Sequence, residues 1–96
     1  MDIIEIANLL RERLDEFKSQ PNYSEFGIDT KVTVTCIYIA TYIAELRLMT
    51  MKKINSSEMD WFAPVAAVGR IFDSKDWEDI GILYFQLSKS VQDQLT

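Results

Sequence analysis

The side chains in this chain that could take part in chemistry are carboxylates, tyrosines and one cysteine, because histidine is absent. The densest group is DSKDWED, residues 73–79. Asp76 and Asp79 there could dock on lysines or arginines of a basic partner, with Trp77 as an anchor. The same acids could equally serve the first turn of a helix, where the dipole favours negative charge. The run lacks the alternating oxygen ligands and mid-loop glycine of a calcium loop, so no metal is expected. Glu12 and Glu16 stand one helical turn apart, but on a polar face where nothing desolvates them for acid–base work. A serine nucleophile would have no histidine to activate it. Gly27, Gly69 and Gly81 are isolated, so there is no phosphate-cradling loop. The pattern implies a non-catalytic protein without a cofactor.

Charge narrows the partners. Fifteen acids against ten bases give a net charge of −5. Eight acids against five bases precede Met49, and seven against five come after it, so the charge is spread. An acidic chain with no basic segment is repelled by phosphate, which argues against direct nucleic-acid binding and against a helix-turn-helix reader. Acidity does suit a basic protein surface approached with electrostatic steering. The single cysteine, Cys36, cannot form an internal disulfide and reads as a small buried hydrophobe in a reducing, cytoplasmic setting. MDIIEI has neither the basic start nor the continuous apolar core of a signal peptide.

Any site must be positioned by helices. Asp2 to about Ser19 carries Ile3, Ile6, Leu10, Leu14 and Phe17 at helical spacing, with Asp2 and Glu5 placed for a capping box. Arg11 and Asp15 are spaced as an ion pair on its solvent side. Pro21 ends the segment. QPNYSEFGID, residues 20–29, is loop, with Tyr23 and Phe26 turned onto the core and Asp29 or Thr30 capping the second helix.

The next segment, about 30–53, is apolar on too many sides. Val32, Cys36, Ile39, Ile43 and Leu46 form one stripe, Ile37, Ala40, Ala44, Leu48 and Met51 another, and Tyr38, Tyr42 and Met49 a third. A helix that is hydrophobic nearly all round is a buried one, so it is expected at the centre of a bundle or under a second subunit. Its length approaches a membrane span, but Glu45 and Arg47 lie inside it and no membrane crossing is expected. Residues 31–39 are also rich in β-branched side chains and would read as a strand by themselves. The helical period running on into AELRLMTMKK favours the helix.

Pro64 shapes the remainder. A helix begun at Ser57 would carry it mid-helix, so a turn at 57–62 and a helix from about 63 to 72 fit better, capped by Ser56, Ser57 or Asp60. Ala66, Ala67 and Gly69 leave room for a neighbour. The last helix spans about 75–95 on a stripe of Trp77, Ile80, Tyr84, Leu87, Val91 and Leu95. The sequence thus predicts one all-α domain, a four-helix bundle over residues 1–96 with a central, largely buried second helix.

Two apolar residues do not fit that plan. Ile82 and Phe85 fall beside Glu78, Lys89 and Asp93, away from the core stripe, and need a cover. Trp61 and Phe62 are adjacent and must point different ways. These four, with Asp76 and Asp79, are the expected protein interface. Tyr38, Tyr42 and Met49 form a possible oligomer or ligand face. The expected function is protein–protein interaction, as in small acidic inhibitors, immunity-type proteins and adaptors of bacteria and phages, with a homodimer or larger assembly anticipated. The alternatives are a ligand-binding regulatory oligomer and a structural subunit of a larger complex.

Overall fold

A computed structural model describes all 96 residues and contains helices and no strand. Helix α1 spans Ile3–Lys18, α2 Ile28–Thr50, α3 Ser56–Met59, α4 Val65–Ile71 and α5 Glu78–Leu95. The three long helices α1, α2 and α5 pack on one another, and the short α4 lies against α5. One core cluster joins them, running through Ile3, Leu10, Leu14, Ile37, Phe72, Ile80, Tyr84 and Leu87.

The stripes expected on α1 and α5 are the ones that go inside. Ile3, Ile6, Leu10, Leu14 and Phe17 are all buried, as are Ile80, Tyr84, Leu87, Val91 and Leu95. Asp2 caps α1, its carboxylate accepting the Glu5 N–H at 2.8 Å. Around Phe17 the core becomes aromatic. Tyr23 and Phe26, on a 3-10 turn after Pro21, pack on it from the loop, and Phe72 and Trp77 meet it edge-on at 5.0 and 5.3 Å.

Helix α2 departs from expectation. Of its 23 residues only Val34, Ile37, Ala40, Thr41 and Ala44 are buried, and Val32 and Leu46 of the expected core stripe are exposed. The expected burial of the whole girdle is therefore replaced by burial of one face. The inward face carries the smaller side chains, which let α2 settle against α1 and α5 together; the bulkier stripe is left outside. Cys36, expected to be buried, is only half-buried. The helix also starts earlier than expected, after Gly27 rather than under a cap from Asp29 or Thr30. By length and composition α2 could cross a membrane, though it contributes one face to the core cluster.

The region after α2 resolves as the turn-then-helix arrangement that Pro64 demands. Asn55, and not Ser56, Ser57 or Asp60, caps α3. Its side chain accepts the Glu58 N–H at 2.8 Å while the Glu58 carboxylate accepts the Asn55 N–H at 3.1 Å. Pro64 stands just before α4. The Tyr84 hydroxyl donates to the Ala63 carbonyl at 2.6 Å, fastening this junction to α5. The Ile54 N–H donates to Leu95 O at 2.7 Å, satisfying a carbonyl at the end of α5. Helix α5 starts at Glu78, three residues later than expected, because Lys75–Trp77 form a turn.

Met51 ends α2 in the left-handed region, φ 55° and ψ 39°, with the Lys52 N–H donating back to Arg47 O at 3.0 Å. That closure normally uses glycine, since a Cβ is strained there. The Met51 side chain is 92% exposed and gives up no packing. Met51→Gly is expected to stabilise the fold by about 1 kcal/mol, read as a rise in the urea midpoint at unchanged slope.

Candidate functional site

Helix α5 carries its core stripe on one side and Glu78, Ile82, Phe85 and Lys89 on the other, all four of them exposed. Ile82 is 56% and Phe85 53% exposed, values unusual for large apolar side chains on a helix whose other face is fully covered. Helix α4 places Val65 next to Phe85. Together with Ser88, Lys89 and Gln92 they line a shallow groove of about 320 Å³. A second depression of about 200 Å³ shares Val65, Ser88 and Gln92 and is floored by Phe62, Met59 and Val91. The structure thus brings Phe85 and Phe62 to the two sides of Val65. The Tyr84–Ala63 hydrogen bond, one residue from each of them, holds the two segments together.

Trp61 goes elsewhere. The adjacent pair splits, with Phe62 packed against the core and Trp61 46% exposed. Trp61 lines a depression with Ile28, Val32, Thr35 and Cys36 of α2. Of the expected interface residues, Phe85 and Phe62 therefore lie by α4 and α5 and Trp61 lies by α2, with Asp76 and Asp79 elsewhere, at the head of α5 beside α1.

One carboxylate of the acidic cluster, Asp79, is taken up within the chain, while those of Asp73, Asp76 and Glu78 stay exposed. Arg13 of α1 reaches Asp79 at 2.6 Å and donates to the Asp76 carbonyl at 2.8 Å, while also pairing with Glu16. Its guanidinium lies 4.8 Å from the centre of the Trp77 ring, which meets Phe17 on its other side. Asp79 and Trp77 are thus committed to holding the start of α5 against α1. The pair is solvent-exposed, so its net contribution is small, up to about 1 kcal/mol.

Tyr38 and Tyr42 likewise face α1. The Tyr38 hydroxyl donates to Asp15, and the Lys18 ammonium sits 5.3 Å from the ring. Burial, with Asp15 alongside, raises the Tyr38 hydroxyl well above the usual tyrosine range. Arg11 lies over the Tyr42 ring at 4.5 Å and pairs with Glu45 at 3.1 Å, so the expected Arg11–Asp15 pair is replaced by contacts to α2. The Tyr38 ring belongs to an intramolecular α1–α2 seam, while the Tyr42 ring meets Arg11 on one side and is otherwise 58% exposed. Met49, a turn beyond, is exposed.

A further contact sequence reasoning missed ties α3 to α2. The Arg47 guanidinium donates to both carboxylate oxygens of Glu58 at 2.8–3.0 Å. Arg47 and the Asn55 N–H hold the Glu58 carboxyl below its ordinary range. The available signal was N-S-S-E at 55–58, a capping-box spacing. No group of three metal-ligating side chains comes together. Comparison with protein-family models, with curated proteins and with solved structures finds no match.

The titrations have definite signs. Glu58 is depressed from an ordinary value of 4.5, so its stabilisation is present above that pH and is lost as acid protonates the folded form. Tyr84 is raised by burial from 10.0 to about 12, so its contribution holds below pH 10 and fades as pH climbs toward 12. Tyr84→Phe leaves the Ala63 carbonyl without its donor and is expected to cost about 1–2 kcal/mol at neutral pH. Urea titrations from pH 7 to 12 check this, the variant showing a shallower alkaline decline than the parent.

Proposed function

We propose that this is a non-catalytic protein that acts by binding another protein, in the manner of a small inhibitor, immunity-type protein or adaptor. The observation that carries the reading is the α4–α5 face. Ile82 and Phe85 lie outside a core that is already filled on the other side of the same helix, and Phe85 lines a groove with Val65. Large apolar residues grouped beside a concavity and rimmed by charges have the composition of an interface centre. The rim carries Glu78 and Asp93 against Lys89, all exposed, which favours a partner with basic groups around an apolar knob. A bacterial or phage cytoplasm suits the acidic, disulfide-free chain.

A ligand-binding role at the tyrosine face has less to support it, since Arg11 and Lys18 already cover those rings. Ile82→Ser with Phe85→Ser is expected to abolish capture of the partner from the native host while changing the thermal midpoint little, because both side chains are half in water. The captured protein must rebind when purified. An unchanged capture profile, or unfolding of the variant, contradicts the reading.

A further inference from the structure

The outer face of α2 has a spacing that its neighbours do not use. Ile28, Val32, Thr35, Ile39, Tyr42, Leu46 and Met49 succeed one another at alternating intervals of four and three residues, and all but the half-buried Ile39 are exposed. That alternation is the seam of a coiled coil, in which each side chain enters a hole on a facing helix. Within the chain only Arg11, over one side of the Tyr42 ring, and Trp61, beside Ile28, Val32 and Thr35, touch this face, and both leave it largely in water. No charged residue interrupts the seam, and its 23-residue helix runs about 34 Å, nearly the 39 Å length of the molecule.

We propose that this seam pairs with the same seam of a second copy, antiparallel, about a twofold axis crossing α2 near its middle. Two observations select a second copy over a foreign helix. The ends of α2 carry opposite charge: exposed Glu25 and Asp29 stand at its start, exposed Lys52 and Lys53 just past its end. Antiparallel copies bring each acidic end to a basic end and oppose the two helix dipoles. The seam is also complementary to itself in size. Val32 meets Met49 of the second copy, Thr35 meets Leu46, and Ile39 meets Tyr42, so that a smaller side chain faces a larger one in each of these layers, with Ile28 falling opposite Lys53 at the two ends. Trp61, Cys36 and Ile43 flank the seam and widen the contact toward the roughly 1,000 Å² of total area that a specific interface needs. A face repeated on both partners is the commonest symmetric arrangement. The α5 face stays free, so this pairing and the binding of another protein are independent.

Sedimentation equilibrium of the full chain tests the pairing. The expected result is a reversible dimer of twice 11.1 kDa, with Val32→Lys and Leu46→Lys together weakening it by at least about a hundredfold. Both positions face water in the isolated chain, so circular dichroism should show an unchanged helix content. Orientation is read by single cysteines in a Cys36→Ser background. Val32→Cys mixed with Met49→Cys should cross-link on oxidation, and Val32→Cys alone should not. A monomer at every concentration, a dimer indifferent to the two lysines, or cross-linking of Val32→Cys with itself would overturn the proposal. Loss of pairing leaves the Ile82/Phe85 capture result unaffected.

Discussion

The rest of the structure depends on how a 23-residue apolar helix is divided between inside and outside. Helix α2 can turn only one face to α1 and α5, and it turns the narrow one, Val34, Ile37, Ala40, Thr41 and Ala44. Burial of apolar area contributes about 25 cal/mol per Å² wherever it happens. The gain from covering the bulkier stripe is therefore still available to a partner. The other helices leave Val32, Tyr42, Leu46 and Met49 of this rod in water.

Polar contacts then join the helices at the edges of the core. Arg11 and Arg13 project from α1 in different directions. One reaches Glu45 and Tyr42 of α2, and the other reaches Asp79 and Trp77 at the head of α5. In both cases a guanidinium covers one side of an aromatic ring while pairing with a carboxylate, which ties α1 to α2 and to the head of α5. Arg47 and Glu58 close the seam between α2 and α3 in the same way. The open surfaces include the apolar outer face of α2 and the Ile82/Phe85 face of α5.

Much of this was legible from residue spacing. The core stripes of α1 and α5 were readable because each helix alternates cleanly between apolar and charged faces. Pro64 marked the break before α4, and Ile82 and Phe85 were recognisable as misfits among charges. The inward face of α2 was not legible, because with apolar residues all round no periodicity distinguishes the side that packs. Size misleads there: the bulky Val32 and Leu46 stay outside, and Ala40 and Ala44 go in, where close helix packing favours small side chains. The roles of Asp79, Tyr38 and Arg11 also escaped, since their partners lie 23 to 66 residues away in the chain.

Both proposed docking surfaces require that bulky α2 and α5 side chains face water in the dilute, unbound chain. Methyl NMR with a soluble paramagnetic agent measures that directly. Val32, Leu46 and Ile82 methyls should broaden strongly, while those of Val34, Ile37 and Ile80 remain sharp. Equal protection of both sets would contradict the account, because α2 would then be enclosed by its own chain.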